Sequence, residues 1–433
     1  MKIEVTHSGA CKREVNIQVE SGDLQGEWQR VCDQYARRSK IPGFRPGKAP
    51  LQLVKQRYKE AIKEDFLDAA VRKYFGQALT EEKLSPVGSP KIQDLQFDEG
   101  QPLRFKALIE VLPDLDLSDY KGLEIEKIEA QVSEEEVDHT IARIRERFAE
   151  FLPVEPRPVQ SGDFVVISYH GRFVDGSRPD FDSKDVLFEV DGPESVPEFS
   201  ENIKGAEVGE TRPFTVKYGA EFPNKSLAGA EIEYAVTVQE IKSKKLPELN
   251  DDFAKDAGDY SSFQELRSKI AAELLANKED SARSEMQQKL LNLVIEKNPF
   301  DVPDVMVSQQ VETRLEEYAR SLVLQGIHPR TLNIDWAEFR ERQRERAVRD
   351  VQAALVLEHI AEKEGIEVTD EEVEAEIRSR AEELKQPLEA VKSRLTKDGG
   401  ADRIRTRIRN RKSLGLILNL ATLKTPQGTI VQP

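Results

Sequence analysis

In "REVNIQVE", Val15, Ile17 and Val19 alternate with polar residues, the period-two mark of a strand with one buried face. A helix is expected from about Leu24 to Arg38 and a long one from Pro50 to about Lys83. There Val54, Tyr58, Ile62 and Phe66 fall four apart, and Val71, Phe75 and Leu79 continue the stripe. Pro50 suits the first helical position, where its missing N–H would have been unpaired anyway. "SPKIQDLQF" and "PLRFKALIEV" read as further strands, making an α+β unit. Between the helices lies "GFRPGKAP", Gly43 to Pro50. Two glycines and two prolines exclude both a helix and a central strand, so a loop is expected at the tip where the helices meet.

The pattern then changes twice. In "VSEEEVDHTIARIRERF", Ser133 and Glu136 form a capping box, and Val137, Ile141, Ile144 and Phe148 line one helical face. Pro153, Pro156 and Pro158 forbid its continuation. From Gly162 the period is two: "DFVVISYHGRFVDG" and "EIEYAVTVQEI" alternate, the second placing Ile232, Tyr234, Val236 and Val238 on one face. After "KKLPELN" helical patterns fill the chain, opening with Phe263, Leu266, Ile270 and Leu274 in a helix running to about Lys297. Further helices are expected in "VSQQVETRLEEYARSLVLQ", from Asp335 to Lys363, in "TDEEVEAEIRSRAEEL" and in "ADRIRTRIRNRKSLGLILNLATL". These helices are polar around most of their circumference, which predicts grooves with leftover apolar patches rather than one thick core. The expected fold class is multidomain α+β. The segments are 1–112 (α+β), 113–158 (a linker with a connecting helix), 159–246 (β-rich) and 247–433 (all-α).

Charge separates these segments further. The chain has 433 residues and a net charge of -16, yet residues 1–112 carry 19 Lys/Arg against 16 Asp/Glu. The cations gather around the Gly43–Pro50 loop. An overall acidic balance argues against a purely nucleic-acid-binding protein. Arg403, Arg405, Arg407, Arg409, Arg411 and Lys412 spread around one helix and are expected as a solvated surface. Cys11 and Cys32 match neither a redox pair nor a zinc site, and the five histidines have no ligand spacing, so no metal and no nucleophile–histidine pair are expected. No GxxxxGK[ST] loop occurs to bind ATP, and no cofactor is expected. The first residues lack the apolar core of a signal peptide, and no apolar run approaches the roughly 20 residues that span a bilayer. A cytoplasmic protein without a membrane partner is therefore expected.

Gly43, Phe44, Arg45, Gly47, Lys48 and Pro50 match the G-F-R-x-G-K-x-P signature of trigger factor, the bacterial ribosome-associated chaperone family. The whole chain resembles that family in order: a signature-bearing N-terminal domain, an FKBP-like middle domain and a helical C-terminal region. The resemblance implies that Gly43, Phe44, Arg45, Gly47 and Lys48 dock on the large ribosomal subunit beside the tunnel exit. The implied partners are nascent and unfolded polypeptides, with contact to ribosomal RNA and a homodimer off the ribosome left open. The residues suit that role. Glycines permit a protruding backbone, Phe44 offers an apolar anchor, and Arg45 and Lys48 can pair with carboxylates or phosphates.

The middle segment resembles an FKBP-type peptidyl-prolyl isomerase in "ISYHGRFVDG", "DFDS", "DVLFEV", "VPEFSENIKG", "VGE" and "EIEYAVTVQEI". That resemblance nominates Tyr169, Phe181, Phe188, Val196, Phe199, Phe222 and Tyr234 as a proline pocket, with Asp182 at its polar rim. The family's P-G-F turn is Pro197, Glu198 and Phe199 here, a departure that bears on turn geometry and catalytic efficiency. Two other readings are a stand-alone cytosolic isomerase with helical extensions and a non-catalytic chaperone scaffold. The loop signature favours the ribosome-bound chaperone.

Overall fold

Val15, Ile17 and Val19 do lie in a strand with its inward face buried. The computed structural model describes residues 1–38, 41, 42, 44, 49–117, 119–176, 178–193, 195–219, 222, 224, 226–329, 332, 334–397, 399–425 and 430–431. Two units result, one of residues 1–128 and 283–433, the other of residues 129–282.

The first unit opens with β1 (Lys2–His7), β2 (Lys12–Val19), α1 (Ser21–Arg38), α2 (Leu51–Arg57), α3 (Lys59–Glu81), β3 (Lys91–Gln96), β4 (Leu103–Glu110) and the short β5 (Glu124–Glu126). The first four strands make an antiparallel sheet in the order β1-β2-β4-β3. The inward side chains of β2 and β4 bury against Ile62, Phe66, Ala70 and Tyr74 of α3. One long helix was expected from Pro50; instead Tyr58, at φ -112° and ψ 24°, separates α2 from α3. The stripe survives the break. Tyr58 N–H donates to the Val54 carbonyl at 2.9 Å, and the Tyr58 carbonyl accepts from Ile62 at 2.8 Å. Beyond Phe66 the buried line runs through Ala70, Tyr74 and Ala78 together with the expected Phe75, while Val71 and Leu79 are only half-buried. The Tyr74 hydroxyl donates to the Asp23 carbonyl of α1 at 2.8 Å, which draws this face inward.

The second unit contains α4 (Glu134–Arg147), β6 (Glu150–Pro153), β7 (Phe164–Phe173), β8 (Phe181–Glu189), α5 (Pro197–Ile203), β9 (Thr211–Lys217), β10 (Glu231–Lys245), α6 (Asp251–Ala257) and the first part of α7 (Phe263–Lys297). The capping box of α4 is formed in both directions. Val137 and Ile141 of α4 bury against Phe253 of α6 and Leu266 and Ile270 of α7. Lys278 of α7 bonds the Glu136 carboxylate at 2.6 Å, and Arg267 pairs with Glu134 and Asp138. The strands form one antiparallel sheet in the order β6-β10-β7-β8, with β9 also paired to β10. β10 carries the expected inward set, Ile232, Tyr234, Val236 and Val238. A register shift between Val238 and Glu240 then turns Ile241 inward.

The remainder of the first unit is helical: the end of α7, α8 (Asp304–Leu324), α9 (Trp336–Lys363), α10 (Asp370–Glu383), α11 (Leu388–Lys397) and α12 (Gly400–Asn419). Strands β11 (Thr422–Lys424) and β12 (Ile430–Val431) follow, with β11 parallel to β5. α8 and α9 bury Val307, Val311 and Leu315 against Ala347, Val351 and Leu355, flanked by a two-bond Arg314–Asp350 pair at 2.6 and 3.0 Å. The basic run of α12 is not simply solvated. Val373 and Ile377 of α10 pack on Ile404 and Ile408 of α12, which brings acids beside the cations. Arg405 reaches Asp370 at 2.6 Å, Lys412 reaches Glu372 at 2.7 Å, and Arg407 and Arg411 both bind Glu376. Both cysteines are buried free thiols. Among the described residues no helix is long and apolar enough to cross a membrane.

One acid of the second unit should tie its stability to pH. Asp163, 6% exposed, accepts two 2.7 Å hydrogen bonds from Arg157 and one of 2.8 Å from the Gln160 N–H. Burial pushes its carboxyl up, but the Arg157 guanidinium and the Gln160 amide outweigh burial and hold it below the ordinary value. A depressed carboxyl adds stability above its unfolded pKa, and that stability is lost as pH falls through the folded value. Asp163→Asn is therefore expected to cost about 2 kcal/mol at neutral pH. Its deficit against wild type should shrink as pH drops below about 4, measured by thermal unfolding of the full chain.

Candidate functional site

Strand alternation builds the site. Tyr169 on β7, Phe181 on β8 and Tyr234 on β10 all point to one side of the twisted sheet. Gly171 pairs with Phe181 across the β7–β8 ladder, and a β-carbon there would run into the Phe181 ring. The absence of a side chain at Gly171 thus lets that ring lie over the strand. α5 supplies Phe199, 7% exposed, at the centre of the ring cluster. Its ring centroid is 4.8 Å from Tyr234, 5.0 Å from Phe214, 5.9 Å from Phe188 and 6.1 Å from Tyr169. Most of these pairs are edge-to-face, the arrangement that aromatic quadrupoles favour.

The rings border a cavity of about 680 Å³. Of the nominated residues, Tyr169, Phe181, Phe188, Val196, Phe199 and Tyr234 line it. Phe222 does not; its ring packs 4.7 Å from that of Tyr218, which does. Asp182 follows the inward Phe181 and so faces the other side of β8, where its carboxylate lies 2.9 Å from His170 Nδ1. The same alternation, applied to β8 on paper, would have separated Asp182 from Phe181. Sequence reasoning passed over Phe214 and Tyr218, although "FTVKY" alternates in the same way. Tyr218 closes that series just past β9, its N–H donating to the Ala230 carbonyl at 2.9 Å. The Tyr218 and Tyr234 hydroxyls are 2.9 Å apart. Burial raises the pKa of both, so both phenols stay neutral.

Glu198 leaves the local backbone unstrained. α5 starts at Pro197 with Val196 as its N-cap, and Glu198 takes the next helical position, where any L residue fits. Among the described residues it is not one of those with positive φ. A carboxylate in a first helical turn is also electrostatically favourable.

Of the loop residues, Phe44 is described: its side chain is 44% exposed, and its N–H donates to the Ile41 carbonyl at 3.1 Å. Ile41 is buried in the core of the first unit. Gly43, Arg45, Gly47 and Lys48 lie outside the described residues.

Chemically, the nominated residues give the cavity an apolar, aromatic wall, beside which Arg178, Glu189, Ser195, Asn224 and Ser226 also border it. Rotation about an X–Pro bond needs no acid, base or nucleophile. Its barrier of roughly 18–20 kcal/mol comes from breaking amide resonance. An enclosure that seats the ring and excludes water disfavours the charge-separated planar amide relative to the twisted one.

Comparison with known proteins covers the same ground. Residues 1–144 match the family model described as bacterial trigger factor protein, and residues 262–419 match the model of its C-terminus. Residues 155–239 match FKBP-type peptidyl-prolyl cis-trans isomerase. The chain is 37% identical to the trigger factor of Koribacter versatilis, over 94% of this chain and 93% of that one. It is 32% identical to that of Solibacter usitatus, over 95% and 97%. A solved structure titled for the promiscuous substrate recognition of the trigger factor chaperone has the same fold, at a TM-score of 0.59 and 21% identity. That match covers 96% of this chain and 99% of the other.

Because Glu198 sits in a helical turn, glycine there should not help. Glu198→Gly is expected to lower the stability of the domain by about 0.5 kcal/mol rather than raise it. Thermal unfolding of the two full-length proteins compares them.

Proposed function

Because the chain belongs to the bacterial trigger factor family, we propose that its Gly43–Pro50 loop and its aromatic cavity divide the work of a chaperone that receives new polypeptides. The family makes it a ribosome-associated chaperone with an FKBP-type peptidyl-prolyl isomerase domain. The observation that carries the catalytic half is the ring-lined cavity of about 680 Å³. In our reading Tyr169, Phe181, Phe188, Val196, Phe199 and Tyr234 seat the proline ring, and Phe222 steadies Tyr218 from outside the cavity.

The docking half rests on the signature. Gly43, Phe44, Arg45, Gly47 and Lys48 form the contact with the large ribosomal subunit near the tunnel exit, with the cations available to RNA phosphates. The exposure of Phe44 supports this, because an apolar side chain held at the surface gains from a partner that covers it. Segments 1–112, 113–158, 159–246 and 247–433 act in turn as ribosome anchor, linker, isomerase and holding body. Exposed apolar side chains on the helices, such as Val323 and Leu324 at the end of α8, support the holding role. The protein works in the cytoplasm, and a homodimer off the ribosome would shield such surfaces.

Two measurements test these assignments. Replacing Phe44, Arg45 and Lys48 together by alanine should abolish co-sedimentation with ribosomes; undiminished binding would remove the loop from the docking site. Phe199→Ala should slow a proline-limited refolding reaction by about tenfold relative to wild type, because the central ring of the enclosure is lost. An unchanged rate would mean that the proline binds elsewhere.

A further inference from the structure

Tyr218 and Tyr234 both line the cavity, whose wall is otherwise mainly rings and aliphatic side chains with Arg178, Glu189, Ser195, Asn224 and Ser226 among them. The two phenol oxygens are 2.9 Å apart, and the two tyrosines are 8% and 2% exposed. Two phenols carry two protons, and the bond between them uses one. Among the described residues neither hydroxyl has a further hydrogen-bond partner. Among the described residues one O–H is therefore left to donate, in a space that a bound peptide would dry, where an unmet donor is costly.

The surroundings indicate which proton is left. Tyr234 is the more enclosed of the two, its ring packed by Tyr169, Phe181, Phe199 and Phe214. Burial raises both pKa values. Both phenols therefore keep their protons, and at 2.9 Å either oxygen can be the donor of the bond between them. Tyr218, 8% exposed against 2% for Tyr234, is the phenol with room to turn its proton toward a ligand, and its ring packs 4.7 Å from that of Phe222.

The chemistry of rotation selects the acceptor. A planar X–Pro amide delocalises its nitrogen lone pair and offers a strong carbonyl acceptor. When the bond twists, the carbonyl loses charge and the nitrogen, turning pyramidal, regains its lone pair. A donor on the carbonyl would stabilise the planar ground state; a donor on the nitrogen stabilises the twisted state alone. We propose that the Tyr218 hydroxyl, oriented by Tyr234, is a catalytic hydrogen-bond donor to the proline nitrogen of the twisted X–Pro bond. This rests on the reading of the cavity as the proline site.

The test uses the full chain and a short peptide with one X–Pro bond, its cis/trans exchange followed by NMR over a range of peptide concentrations. Tyr218→Phe keeps the ring and removes the donor. Its kcat should fall about tenfold with KM unchanged, because the bond exists only in the transition state. Adding Tyr234→Phe should lower kcat no further, since Tyr234 acts through Tyr218. Thermal unfolding of each variant accompanies the rates. A Tyr218→Phe variant within twofold of wild-type kcat, or one altered only in KM, overturns the donor. So does a further tenfold drop in the double variant. Phe199→Ala separates the two levels: if it slows exchange and Tyr218→Phe does not, the cavity reading stands and the donor falls. If wild type is inactive on the peptide, or Phe199→Ala costs nothing, both fall.

Discussion

The long ladder of β10 is the constraint on which the site depends. This strand pairs with β6, β7 and β9 at once, so its register is set from both sides. Strand side chains alternate, and a slip of one residue would move Tyr234 and Val236 out of the core and bring Glu233 and Ala235 in. Every ring of the cavity except those on β8 and α5, and that of Tyr218 just past β9, sits on β10 or on β7 bonded to it. The register shift near Glu240 lets the strand turn Ile241 back into the core while its end pairs with β6.

What that ladder holds is a largely aromatic site, with Arg178 and Glu189 on its lining. Its rings are fixed by edge-to-face contacts, and its two buried phenols keep their protons at working pH. Such an enclosure acts on the resonance of an amide, not on a proton or a covalent bond, so it needs shape and dryness more than charge. Glu198, where the family's turn has glycine, is accommodated by the helical start of α5 and is half-buried there.

The helical parts follow a different rule. Their apolar faces are narrow, and charged pairs flank them: Arg314 with Asp350 between α8 and α9, Lys278 with Glu136 between α7 and α4, and the cations of α12 with the acids of α10. Exposed pairs of this kind contribute little each, typically under about 1 kcal/mol. Their value lies in setting which helix faces meet. A body assembled this way leaves apolar side chains such as Val323 and Leu324 at its surface, which a thick core would have consumed.

Local order was written in the sequence. The capping box at Ser133, the inward set of β10 and the helix from Phe263 to Lys297 depend on neighbours a few residues apart, and periodicity reports those. The loop signature and the aromatic set were legible through family resemblance. Contacts between distant residues were not. No local pattern announces that β5 pairs with β11 some 300 residues later, that α10 lies beside the basic run of α12, or that Tyr218 meets Tyr234. The sequence by itself determined which stretches coil or extend and which faces are apolar, because those follow from spacing along one chain. Tertiary structure alone decided that Asp182 turns from the cavity to His170 and that Tyr218 meets Tyr234 at its wall, because both depend on which strands lie side by side.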